Sequence, residues 1–313
     1  MARRDMMKEY LLVLNKDEDS VSIIDLEKKE EIKKIETGHN PHEIAITPDG
    51  KKSYITCSLG NELNVMNNED FEIVKRIEHE KFEFPHGVGL AKDGRELYMA
   101  STYSSMIFII DTETDEIKNH FPTFQEHSHM ITFSTDEKTV YVPNIGSDNI
   151  TVIDVEKEKI VNHFPVGGGP EGTAVDPKRG LLYVANQDDG TLYVIDPDDY
   201  DVKFKRRLGT TPIRIIFSPD GKYAFIPNRE SNDVSVVQTD FDRDGETVPW
   251  EMKRIPVGVW PGGVAFDSTG EKAYVANNKT NDISIIDVEK LEEEPERIDA
   301  GIHPDGIAYL KKD

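Results

Sequence analysis

Apolar and polar residues alternate in short runs along the whole chain, and no stretch keeps a helical period. The run HEIAIT, from His42, alternates and stops at the turn Pro48-Asp49-Gly50. Next comes a run with an aromatic residue at its start: SYITC from Ser53, LYMAS from Leu97, VYVPN from Val140, LYVAN from Leu182, AFIPN from Ala224 and AYVAN from Ala273. After a polar loop a β-branched run follows, such as NITVIDVE from Asn149 or DISIIDVE from Asp282. A fourth run, such as KIVNHFPVG from Lys159, leads back to the beginning. Period-two alternation bounded by turn residues predicts strands, four to a unit, here lettered A to D.

The unit recurs seven times. At each D–A junction the residue after the proline (a serine in the third copy) is in turn His42, His86, His129, Glu171, Ile213, Gly262 and Asp305. These slots lie 44, 43, 42, 42, 49 and 43 residues apart, the spacing of propeller blades. Residues 1–37 contain strands B, C and D but no A, while the tail HPDGIAYL supplies an A alone. Joined, the two ends complete one blade and remove a sheet edge. The prediction is an all-β chain: a seven-bladed β-propeller of four-stranded antiparallel blades, one domain over residues 1–313. Its C-terminal strand A, near Ile307 to Leu310, would close the ring on the N-terminal strands B to D, near Leu11 to Leu14.

The motifs YVPN at Tyr141 and YVAN at Tyr183 and Tyr274, with the V-I-D ends of strand C and the Ser218-Pro219-Asp220-Gly221 turn, resemble the YVTN-type seven-bladed propellers. The resemblance covers nearly the whole chain and implies the fold. That family includes binding modules, surface proteins and enzyme-like members, so the chemistry has to be sought in the residues.

Charge narrows the classes of partner. A net charge of −23 and a pI near 4.8 disfavour nucleic acid, which needs a basic face, and anionic membranes as well. No apolar run approaches the ~18 residues of a membrane span, and the N-terminal apolar run is too short for a signal-peptide core, so a cytoplasmic protein is expected. The lone Cys57 allows no internal disulfide.

Strand A of a propeller lines the central channel, so the seven slots should open at its mouth. Three imidazoles in register, His42, His86 and His129, suit a transition metal such as zinc, iron, copper or nickel, with Glu171 as fourth ligand or general base. Asp305 is placed behind His42 as an orienting partner. Tyr103, Gln187, Arg229 and Lys279 sit in the B–C loops of the same face, where substrate contacts arise, and Arg229 is the anchor for an anionic group. His39, His127 and His303 precede the slots and would rim the mouth. Cys57 is expected as a buried thiol, and His163, on an outer strand, has no assigned role. In the longer C–D connection of the fifth blade, Asp240, Asp242, Asp244 and Glu251 match the spacing of a calcium loop, although strands flank it and Pro249 lies inside; a solvated hairpin extension is the other reading.

These features point to a metal-dependent propeller enzyme that hydrolyses or eliminates at an ester- or lactone-like bond of a small-molecule substrate. A metal-dependent oxygenase is compatible with the same histidines. The alternative is a non-catalytic scaffold binding a ligand or a protein partner. No G-x-S-x-G, phosphate loop or C-x-x-C is present, which excludes serine-hydrolase, nucleotide and dithiol readings.

Overall fold

The alternation resolves into seven antiparallel sheets in a computed structural model that describes residues 7–312. The first blade is typical: Pro41–Ile46, Lys52–Cys57, Glu62–Asn67 and Glu72–Glu78 pair in sequence order from strand A outward. Strands B and C bury both faces, because each blade packs against a neighbour on either side. The core accordingly divides into seven apolar clusters, one at each junction between blades. The aromatic residue that opens strand B fills these junctions: Tyr54, Tyr98, Tyr183 and Phe225 are fully buried. Truncating one of them to alanine is worth about 3–5 kcal/mol, the usual cost of an aromatic-sized cavity.

The ring closes through the two ends of the chain. Strand Pro304–Lys312 pairs antiparallel with Lys8–Asn15, with Leu11 opposite Tyr309 and Val13 opposite Ile307. Asn15, Asn144, Asn186, Asn228 and Asn277 end strand B in five blades, and their side-chain amides reach the start of strand C, as from Asn277 to Asp282 and Ser284.

Departures from the four-strand pattern have local causes. In the sixth blade strand D is split into Glu292–Glu293 and Ile298–Asp299, because Pro295 between them has no N–H to give the ladder. In the third blade strand A shrinks to Thr132–Phe133, and the carbonyl of His129 accepts from Gly87 N of the neighbouring blade instead.

The acidic connection of the fifth blade is a β-hairpin and does not gather its carboxylates. Strands Asp233–Arg243 and Glu246–Pro256 pair up to Arg243 and Glu246, joined by Asp244-Gly245 with φ of 56° and 87°. Two left-handed residues make the Asp-Gly hairpin turn, which pulls the chain into a ladder rather than around an ion. Asp240 takes a hydrogen bond from Gln238, Asp242 caps Gly245 N, and Glu251 is held by Arg254 and Arg206 on the blade itself. The geometry of this connection is that of the hairpin extension.

Candidate active site at the channel mouth

One backbone device, repeated in every blade, builds the mouth. The residue two before each slot is left-handed: Asn40, Phe84, His127, Gly169, Thr211, Trp260 and His303 have φ between 55° and 60°. Only one of the seven is glycine, so at Phe84 and Trp260 this backbone costs about 1–3 kcal/mol each, which the surrounding loops must over-determine. The carbonyl of that residue accepts from the N–H of the residue following strand B: Lys16, Ser58, Thr102, Ile145, Gln187, Arg229 and Asn278 donate in turn to His303, Asn40, Phe84, His127, Gly169, Thr211 and Trp260, at 2.9–3.1 Å. The clamp aims two rings of side chains inward, the slot residues and the first residues of the B–C loops.

Where the rings meet lies a cavity of about 300 Å3. Lys16, His42, His86, His129, Glu171, Arg229 and Asp305 line it together with Phe84, Tyr103, Gln187 and Trp260. The slot glycine, Gly262, makes room for its neighbour: a Cβ there would lie 2.6 Å from Asp305 Oδ1.

The structure brings His42, His86 and His129 together, with His86 and His129 stacked and His42 tilted 58° to His86. The ring centroids of His86 and His129 are 3.7 Å apart with 24° between planes, and those of His42 and His86 are 4.2 Å apart. His42 Nε2 lies 2.9 Å from Lys16 Nζ and 3.3 Å from Asp305 Oδ2, and its Nδ1 is 3.2 Å from Ser58 Oγ. His129 Nδ1 lies 3.4 Å from Thr102 Oγ1, and its Nε2 faces Glu171 Oε1 across 3.9 Å. Arg229 reaches the same Glu171 oxygen at 3.4 Å. The His86 Nδ1 atom is buried and has no hydrogen-bond partner.

Burial sets the protonation of this group. All three imidazoles are pushed below the ordinary histidine value, first by loss of solvent and then by cations and one another; His42 falls to about 4. They are neutral at pH 7. Burial pushes Glu171 up, opposed by Arg229 and Arg214. Burial would push Asp305 up as well, but Arg214 and Lys16 outweigh it and hold that carboxyl well below the usual range.

The arrangement does not fit a shared metal ion. A metal needs lone pairs converging from ring edges, whereas the stacked rings of His86 and His129 aim theirs alongside one another. The His42 edge nitrogen is occupied by an ammonium, and the Nδ1 of His86 is sealed. Among the described residues no group of three or more His, Cys, Asp or Glu is disposed to hold a metal.

The other expected residues divide. Gln187 and Arg229 line the cavity, and Tyr103, 61% exposed, stands at the rim with its ring 4.8 Å from that of Phe84. Lys279 does not line it; its ammonium lies 4.6 Å over the Trp260 ring. His39 and His303 pair with Asp19 and Asp17 outside the cavity, and His127 touches the edge of Tyr103. Cys57 is sealed, its thiol pushed up to about 12 by burial and then by Glu62.

Three charged residues of the channel were not singled out from the sequence. Lys16 holds the same B–C position as Arg229, a correspondence hidden by the chain ends, since its blade begins at strand B. Glu43 and Arg214 lie one residue beyond their slots, at positions that are Gly87, Met130, Gly172, Gly263 and Gly306 in the other blades. A Cβ at Gly87 would meet His129 O at 2.3 Å, which shows how tightly adjoining strands approach there. Two charges in a ring of glycines were the available signal.

Comparisons with known proteins agree with the fold. The profile of the family described as lactonase, 7-bladed beta-propeller, matches residues 119–306. No curated protein matches the chain. Among solved structures the chain is similar to a functionally unknown protein from Desulfotomaculum acetoxidans, with a TM-score of 0.82 and 14% identity, covering 97% of this chain and 99% of that one. A provisionally named 6-phosphogluconolactonase from Bacteroides fragilis gives 0.81 and 16%, covering 99% of both chains. The hydrazine synthase of Kuenenia stuttgartiensis gives 0.72 and 19%, covering 87% of this chain and 90% of that one. At these identities the likeness is one of fold.

Proposed function

The chain belongs to the lactonase family of seven-bladed β-propellers, and from that premise we propose that it is a hydrolase opening a small lactone or ester that carries an anionic group. The observation that supports this most is the pairing of a neutral imidazole with a buried carboxylate, His129 and Glu171, beside two cations in a cavity of about 300 Å3. A cavity of that size admits a small molecule.

The gap of 3.9 Å between His129 Nε2 and Glu171 Oε1 suits one water donating to both. As that water attacks the carbonyl carbon, its proton passes to the imidazole or the carboxylate, and the carbonyl becomes an oxyanion. Lys16 spends two of its N–H groups on His42 and Asp305 and has a third to turn toward that oxyanion. Collapse breaks the bond to the ring oxygen, which takes the proton back, and a hydroxy acid leaves. Arg229, partly exposed beside Glu171, is the anchor for the anionic substituent. These steps use side chains alone and pass through no metal.

The test is hydrolysis of a lactone panel followed by acid release at constant pH, with D-glucono-1,5-lactone and its 6-phosphate included. Acceleration over spontaneous opening, greater for the phosphorylated lactone, is expected. Spontaneous rates across the whole panel would overturn the reading.

A further inference from the structure

The charges in the site described above leave one buried group unused. Arg214 leaves the fifth blade just before strand Ile216–Phe217, crosses the channel and binds Glu43, in strand Pro41–Ile46 of the first blade. Its other terminal nitrogen lies 3.1 Å from Asp305 Oδ1, in the closing strand Pro304–Lys312. One guanidinium thus ties together three blades that strand pairing does not connect. Its side chain is 7% exposed, and that of Glu43 13%.

The position matters as much as the pairing. Arg214 and Glu43 do not line the mouth cavity; they line a second one of about 130 Å3 deeper in the channel. The ion pair is therefore a floor between the two. Asp305 stands in that floor with Oδ2 held by Lys16 and His42, while Oδ1 faces Arg214 as an ion pair without hydrogen-bond geometry.

We infer that Arg214 is a positioning residue of the site: from across the channel it fixes Asp305, and through Asp305 the orientation of His42 and the placement of Lys16. The planar guanidinium is suited to this because one terminal nitrogen binds Glu43 while the other carries charge to Asp305, a span that a point-like lysine ammonium does not cover. Around His42 stand Lys16, Asp305, Ser58, His86, Phe84 and, one step behind, Arg214. Of the charged groups, Lys16 and Arg214 oppose a proton on His42 and Asp305 favours one. Removing Arg214 withdraws one opposing cation and frees Asp305 to bind a protonated His42, so both changes act in one direction.

The experiment is an NMR titration of the His42 ring, assigned with His42→Asn, in wild type, Arg214→Met and Arg214→Lys, with lactone turnover measured in parallel. Only the turnover arm rests on the hydrolase reading. In Arg214→Met the His42 midpoint is expected to rise above its wild-type value of about 4, and kcat to fall about 10- to 100-fold with KM little changed. Arg214→Lys restores the charge without the fork, so the midpoint stays low while kcat remains depressed. If Arg214→Met alone does not fold, the double variant Glu43→Gln/Arg214→Met removes the stranded carboxylate and carries the same readings. A folded variant lacking Arg214 whose His42 still titrates near the wild-type value would overturn the inference. Wild type that hydrolyses no lactone, together with a moved midpoint, would sink the hydrolase reading and leave this one standing.

Discussion

His86 lies face to face with His129, ring centroids 3.7 Å apart, in a channel mouth that also holds Lys16 and Arg229, with Arg214 beneath it. Two protonated rings at that distance would repel by roughly 4 kcal/mol even at an effective dielectric of 20. The pair accepts at most one proton in the acid range, and its titration belongs to both rings together.

A dependence of stability on pH follows. Each of these histidines has a folded value below its unfolded value, so the unfolded chain takes up protons first as the medium is acidified. Their contribution is complete above about pH 6.5 and is lost on the way down toward the folded values, about 4 for His42. The wild-type melting temperature should drop more steeply between pH 6.5 and 4 than that of His42→Asn, in which one of the three groups cannot titrate. Parallel curves would show that His42 is not held neutral by the fold.

Glu171→Gln keeps the shape and removes the base. Turnover should fall about 100-fold or more, within the range for loss of a general base, while circular dichroism and melting stay close to wild type. His129→Asn should behave alike. Retention of full activity by both variants would remove the water-activating role from this pair.

The two mouth cations should separate by their kinetic effects. Arg229→Met is expected to raise KM about 10- to 100-fold for a phosphorylated lactone, the value of a charge-assisted hydrogen bond, and to change the uncharged lactone little. Lys16→Met should lower kcat for both substrates, since the oxyanion forms on either. Equal effects of Arg229→Met on the two substrates would show that it does not read the anionic group.

How much of this was legible in the sequence depended on period. Strand alternation, the recurring slot and the unpaired ends predict the blades and the closing strand, because each signal is carried by local residues. Register also placed His42, His86, His129, Glu171 and Asp305 at equivalent positions. Their mutual geometry was not legible, since whether neighbouring imidazoles stack or converge depends on side-chain torsions set by Ser58, Thr102 and Lys16. Arg214 reads locally as one charge in an apolar strand, and its partner Glu43 is 171 residues away. At the acidic hairpin a calcium loop and an Asp-Gly turn share composition, so the sequence carried both readings.

Deleting residues 301–313 removes strand Pro304–Lys312 and with it Asp305, leaving Lys8–Asn15 unpaired on its inner side. Aggregation, or a large loss of thermal stability, is expected. A truncated chain that remains monomeric and melts like the full protein would contradict closure through the chain ends.

The hairpin of the fifth blade should ignore calcium. Millimolar calcium is expected to leave the melting temperature unchanged, and Asp240→Ala should be neutral. A rise in wild type, abolished in that variant, would restore the ion-binding loop.

The most direct test of a metal-free hydrolase is turnover of the best lactone of the panel by exhaustively chelated protein, with elemental analysis of the same sample. The predicted result is full wild-type turnover at far less than one metal ion per chain. Loss of turnover on chelation, restored by one equivalent of a transition metal, would contradict the stacked, neutral imidazole site and return His42, His86 and His129 to the role of ligands.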